Sequence, residues 1–310
     1  MSDYHRLLRG QGQPAARILR QVSRPRGMTK LDLLVGCVVA VILLTLVVMA
    51  VSKQQFAARR NLCEKRQTAL AEAFRLYAGI QREYPGWRQP GGESRTDSWP
   101  VAILPWLGRP LEPDERTGET PIDASVRGPR GTLYDELQKS AAAKYLPEFL
   151  CSTDSRLGES MRPRPAWLSF VANTGMPDVE ELAEGIFPDK LANGVLLDYT
   201  RDKKQRSSPE YVGEHDGEQF TLLLSENIDA RLWSDTAEAT LGFVWTSPPG
   251  LAINELMGKG DGSLRFARPA AGHRGGVNVV FCGENNSFLS EKIAPQVLRE
   301  LMTSDREGAR

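Results

Sequence analysis

The sequence predicts an α+β fold: one long N-terminal helix packed on an antiparallel β-sheet head, with extra loops and short helices. Three observations carry this. No proline occurs between Thr29 and Tyr84. An uncharged run of about 19 residues, Leu33 to Val51, lies inside that stretch and is long enough to span a bilayer as a helix. Beyond residue 147 the chain holds several short β-type runs separated by turn residues, the pattern of an antiparallel sheet following a helix.

The helix comes first. Its outer half, Phe56 to Tyr84, places Leu62, Ala69, Leu70, Ala73, Phe74, Leu76, Tyr77 and Ile80 at helical spacing, a stripe expected to pack on the head. Arg59, Arg60, Glu64, Lys65, Arg66, Glu72 and Arg75 fill the other surface, and Pro85-Gly86 is the expected stop. Residues 86–131 are rich in Gly, Pro and charge and read as loop around an apolar island, Trp99 to Leu107, a short helix or strand. Leu133 to Tyr145 reads as helix, and Pro147 to Asp154 as a short strand and turn. Strands are expected at Trp167–Asn173, Gly194–Tyr199, Phe220–Leu224 and Leu241–Thr246. Val277–Phe281 and Asn286–Leu289 read as a hairpin, and Ile293–Met302 as a last helix. The organisation is thus a basic leader (1–27), a transmembrane and spine helix (28–84), an extracytoplasmic head (85–302) and a charged tail (303–310).

Composition narrows the function. The 310 residues carry 39 Lys and Arg against 39 Asp and Glu, spread evenly after residue 60, so there is no electrostatic footprint for nucleic acid. Basic residues cluster only in the leader, at Arg6, Arg9, Arg17, Arg20, Arg24 and Arg26. The positive-inside bias then predicts a single-pass protein of the inner (cytoplasmic) membrane, N-terminus in the cytoplasm and head outside it. Of the four cysteines, Cys37 lies in the apolar run; Cys63 and Cys151 could pair in an oxidising compartment or remain buried thiols.

No constellation for catalysis is visible. The three histidines, His5, His215 and His273, form no His-x-x-x-His, and neither Gly-x-Ser-x-Gly nor a phosphate loop occurs. His273 reads as a buried imidazole whose hydrogen bonds fix the Gly275-Gly276 turn, and Gly258 to Gly262 as a surface turn. Asp216, Glu226, Asp261 and Glu284 lack calcium-loop spacing and read as exposed carboxylates. The expectation is a protein that is not an enzyme, with no cofactor and no metal.

The segment Arg26-Gly27-Met28-Thr29-Lys30-Leu31-Asp32, entering the apolar run, resembles the type IV prepilin signal. The resemblance implies cleavage by a prepilin peptidase between Gly27 and Met28, which leaves the membrane helix on the mature chain. It implies that Asp32, at the acidic fifth position, pairs with the freed amine during assembly with other pilin-like subunits. Asp stands where Glu is usual, and Met28 where Phe is usual. A plain signal anchor is the alternative.

The rest of the chain resembles the planctomycete-type prepilin-like family known as domain of unknown function 1559. The motifs are Arg59-Arg60-Asn61-Leu62-Cys63, Trp99 to Leu107, Phe149-Leu150-Cys151-Ser152-Thr153-Asp154, Ser169-Phe170-Val171-Ala172-Asn173-Thr174-Gly175, and Asp216-Gly217 followed by Glu226. The last is Arg268 to His273, continuing through Gly275-Gly276 to Asn278. Gly283-Glu284 replaces the family's Asp-Gly. The resemblance implies a pilin-like fold and a pseudopilin-like structural subunit of a secretion or surface-fibre system, with only the local turn altered at Gly283-Glu284. The alternative is an unprocessed, signal-anchored binding module, glycan-binding for example, that uses some of Trp87, Trp99, Trp106, Trp167, Trp233 and Trp245 on an exposed face.

Overall fold

The structure, a computed structural model, describes residues 29–91, 96–107, 145–154, 156, 166–177, 190–201, 204–246, 252–259 and 263–309. The leader with Gly27 and Met28, most of the expected helix Leu133–Tyr145, and the end of the Gly258–Gly262 turn lie outside the described residues.

The chain divides into two compact units, 1–52 and 53–310. Helix α1, Lys30–Gln81, contributes to both. In the first unit every side chain from Lys30 to Val51 is exposed. This helix is long and apolar enough to cross a membrane, a property that anchors and signal sequences share. Its start is a reciprocal cap: the Thr29 N–H donates to Asp32 Oδ2 (3.0 Å), and the Asp32 N–H to Thr29 Oγ1 (3.2 Å).

In the second unit α1 buries Cys63, Gln67, Leu70, Ala71, Ala73, Phe74 and Ala78. The spacing of three and four residues defines one face. That face is rotated from the one the apolar residues predict: Leu62 and Ile80 are exposed, and polar Gln67 takes an inner position. Gln67 is admitted because its Nε2 donates to the Asn278 carbonyl (3.0 Å). The helix ends at Gln81, before Pro85, with Arg82 in the left-handed region (φ 62°).

Strands β1 (Arg88–Pro90) and β2 (Thr96–Ser98) form a small antiparallel pair leading into helix α2 (Trp99–Ile103), so the apolar island is helical. Pro147–Phe149 is a single 3-10 turn rather than a strand; Pro147 at its first position has the φ such a turn needs. The aromatic core runs from α1 inward: Phe74 lies 5.2 Å from Trp99, Trp99 6.1 Å from Phe149, and Phe149 5.8 Å from Trp233.

The main sheet has five strands, β3 (Phe170–Gly175), β4 (Leu222–Glu226), β5 (Gly242–Val244), β6 (Gly276–Phe281) and β7 (Asn286–Ser290), in the order β5-β3-β4-β6-β7. Three pairings are antiparallel, but β5 joins β3 in parallel, so the sheet is mixed rather than antiparallel throughout. The reason is topological. The chain leaves β4, turns through helix α4 (Glu238–Leu241) and adds β5 at the free edge of β3, entering from the end where β3 begins and so running alongside it. Helix α3 (Pro209–Glu214) is capped by Ser208 Oγ, and helix α5 (Pro295–Met302) fulfils the last-helix expectation.

Gly194–Tyr199 is buried coil, not strand. Gly194 crosses Gly175 so closely that a Cβ would meet its backbone; beyond it the Val195 and Leu196 N–H groups both donate to the Asn173 carbonyl, and Asp198 forms a lone parallel bridge with Arg88. The charged tail is also tied down: Ser304 is buried, and its N–H donates to the Ala192 carbonyl (3.1 Å).

Candidate functional site

Four ligand-type side chains from separate segments converge inside the second unit. Cys63 comes from the buried face of α1, Cys151 from the bend after the 3-10 turn, Glu226 from the end of β4, and His273 from the turn before β6. Their donor atoms all lie within 4.8 Å of one another, and all four residues are buried. Cys63 Sγ is 2.7 Å from Cys151 Sγ. Cys151 Sγ is 3.3 Å from Glu226 Oε1 and 3.4 Å from His273 Nε2, and His273 Nε2 is 3.1 Å from Glu226 Oε1.

A second layer aims these groups. The Asn278 N–H donates to Glu226 Oε2 (2.8 Å), and the Asn278 amide to Oε1 (3.1 Å). The Ser152 N–H donates to Cys63 Sγ (3.0 Å), and the Thr153 hydroxyl lies 3.0 Å from Cys151 Sγ. Burial disfavours a Cys63 thiolate, but hydrogen bonds from Cys151, His273 and Ser152 outweigh it and bring the thiol down to about 6. Burial, then the bond to Cys63 and the charge of Glu226, pushes Cys151 well above the thiol range. The sulfur pair therefore sheds one proton readily and holds the other. Burial alone would lower His273; its hydrogen bonds to Cys63 and Glu226, with their charges, prevail and raise it to about 9. Chemically, the set offers two soft sulfurs, an imidazole and a carboxylate, donors suited to a borderline metal ion.

The other motif residues have separate roles. Arg268 is buried and ion-pairs with Asp229 (2.9 Å) while donating to the Phe266 carbonyl (3.0 Å), away from the cluster. Gly275 is left-handed (φ 82°), and a Cβ on Gly276 would overlap the Leu289 carbonyl oxygen where β6 meets β7. Asp216 accepts from Thr303 Oγ1 (3.2 Å), and Gly217 makes a left-handed turn (φ 90°). Asp216, Glu226 and Glu284 do not converge; Glu226 is buried rather than exposed, and Glu284 ion-pairs with Arg75 (2.5 Å). The hairpin survives the Gly283-Glu284 change. The Glu284 N–H closes the turn onto the Phe281 carbonyl (2.9 Å), and it is Glu284, not Gly283, that is left-handed (φ 64°).

Of the tryptophans, Trp87, Trp99, Trp233 and Trp245 are buried and the other two are half-buried, so no exposed cluster stands ready for a glycan. The pairing of Glu226 with His273, and the part Asn278 plays in aiming it, were not visible in the sequence. The available signal was that each of the four donors sits in its own motif.

The family model described as "Protein of unknown function (DUF1559)" matches residues 56–296. No curated protein and no solved structure matches the chain.

Proposed function

We propose, on the premise that the chain belongs to the DUF1559 family, as that match over residues 56–296 shows, that it is a pseudopilin-like structural subunit. It is anchored in the inner membrane, non-catalytic, and serves a secretion or surface-fibre system. The observation that carries the reading is the division of labour along α1. From Leu33 to Val51 it is uncharged and exposed on every side among the described residues, while the part from Cys63 to Ala78 buries a face among the strands and aromatics of the head. A helix with the first property needs an apolar environment, whether lipid or other such helices. A helix with the second is a structural spine.

In this reading a prepilin peptidase cuts after Gly27, and the carboxylate of Asp32 pairs with the amine of Met28 on a neighbouring pilin-like subunit. A carboxylate at the edge of an apolar span needs such a partner.

The first test is the N-terminus of the membrane-extracted chain, by intact-mass and terminal-peptide mass spectrometry. A start at Met28 supports the proposal, and a start at Met1 overturns processing. The second test separates charge from capping, because Asp32 also caps α1 through Thr29. Asp32→Asn keeps an acceptor for the Thr29 N–H and removes the charge. Both Asp32→Asn and Asp32→Ala are expected to insert in the membrane and fail to assemble. Normal assembly of Asp32→Asn would refute the pairing.

A further inference from the structure

We infer that Cys63, Cys151, Glu226 and His273 form a closed, structural binding site for a divalent metal ion of the zinc class. The inference does not depend on filament assembly. It rests on convergence: the potential ligand atoms of the four residues all lie within 4.8 Å of one another, though the residues come from a helix, a loop, a strand end and a turn. The composition selects the ion. Two thiolates and an imidazole favour zinc over calcium or magnesium, which need several oxygen ligands where this site has one.

The surroundings match a metal centre's second layer, which orients ligands and stabilises their anionic forms. Both oxygens of Glu226 are held by Asn278, and Cys63 Sγ receives the backbone N–H of Ser152. A disulfide between the two sulfurs would account for the cysteines alone. It would leave Glu226 and His273 as a buried pair beside it, an arrangement that is weak support for a fold. A metal ion gives all four groups one partner.

The fit requires one adjustment. Zinc–sulfur bonds of about 2.3 Å in a tetrahedron place the sulfurs roughly 3.7 Å apart, so the pair must open from 2.7 Å by about 1 Å. The contacts of Cys151 Sγ with Glu226 and His273, at 3.3 and 3.4 Å, are already near tetrahedral edges. On binding, both cysteines coordinate as thiolates and His273 as a neutral imidazole, so every thiol and imidazolium proton they carry is released to solvent, and no electron is transferred. Four protein ligands leave no open position, so the ion would tie α1 to the sheet rather than activate water.

The test uses the full chain extracted in detergent without chelator. Elemental analysis is expected to find stoichiometric zinc. Cobalt(II) loaded in its place is expected to give thiolate-to-metal charge-transfer bands and intense tetrahedral d–d bands. Cys151→Ser and His273→Gln should each lose bound metal and the cobalt spectrum, while Cys282→Ser, at a buried cysteine outside the cluster, should keep both. Should the cluster variants fail to fold, the metal content and cobalt spectrum of the unaltered chain decide. A metal-free chain whose Cys63 and Cys151 resist alkylation until reduced would overturn the proposal in favour of a disulfide. So would metal retained in Cys151→Ser.

Discussion

The spine role of α1 can be tested with one substitution made twice on the same helix. Phe74 is fully buried and its ring lies 5.2 Å from that of Trp99, whereas Phe56 is 45% exposed and lies under the guanidinium of Arg274 at 4.8 Å. Phe→Ala at either position changes helix propensity equally, so the difference isolates packing. At Phe74 the loss of a whole buried ring, with the aromatic contact, predicts destabilisation of about 3–5 kcal/mol. At Phe56 only a partly exposed contact and a surface cation–π interaction are lost, predicting less than about 1 kcal/mol. The expected gap of at least about 2 kcal/mol corresponds to roughly a thirtyfold difference in the folding equilibrium. Urea unfolding of the detergent-solubilised full chain, followed by tryptophan fluorescence, reads it directly, because Trp99 and Trp233 lie in the same aromatic core. Coincident midpoints for the two variants would refute the claim that α1 is part of the head's core.

Two further expectations concern strained and charged positions. Glu284 sits at a left-handed φ of 64° and makes a part-exposed ion pair with Arg75. Relief of about 1–2 kcal/mol, less about 0.4–1 for glycine's unfolded freedom and up to about 1 for the pair, predicts that Glu284→Gly lies between a loss of about 1 and a gain of about 1.6 kcal/mol. A thermal melt showing a loss beyond about 1 kcal/mol would mean the Arg75 pair governs the turn. Burial raises Glu148, against the opposing pull of its own backbone N–H and of Arg66, and its Oε2 has no hydrogen-bond partner among the described residues. A raised carboxyl favours the folded state at low pH, and that stability is lost as pH rises through the unfolded value and then the folded one. Glu148→Gln should therefore gain on the native chain as pH rises from about 4 to neutrality. An advantage independent of pH would show that burial of the charge is not the cause.

Local signals made much of the fold legible. The helix, the β6–β7 hairpin, β4 and α5 each rest on periodicity or turn residues that act within a dozen positions, and each formed near its expected place. What failed depended on neighbours distant in sequence. Leu62 and Ile80 are apolar at helical spacing, yet the buried face lies on Cys63 and Gln67, because the partner offers Gln67 a carbonyl. Gly194–Tyr199 looks like a strand in isolation, but its hydrogen bonds go to Asn173 and to a lone bridge with Arg88 rather than to a ladder. The parallel pairing of β5 depends on where the chain returns to the sheet, which no local pattern encodes. The donor cluster was illegible for the same reason. Metal spacing in sequence is a property of short loops, whereas these ligands are separated by 88, 75 and 47 positions in the pairs that meet.

The polar contacts of α1 imply something its apolar ones do not. The apolar residues of its buried face, Leu70 and Phe74 among them, are driven in by burial, a force without direction of its own. Cys63 and Gln67 lie one turn apart on the same face, and each is held by a group with a fixed address. Gln67 donates to the carbonyl of Asn278, and that residue's N–H and amide both grip Glu226. Glu226 in turn meets His273 and Cys151, and Cys151 meets Cys63. The chain of contacts is closed: it leaves α1 at Gln67 and returns to it at Cys63. Shifting the helix by one residue moves both side chains about 1.5 Å along the axis and rotates them about 100° off the face. That breaks both links and leaves buried donors and acceptors unpaired, each costing about 1–3 kcal/mol. The register of α1 against the head is therefore fixed by this polar ring together with the buried side chains of Leu70 and Phe74 on the same face.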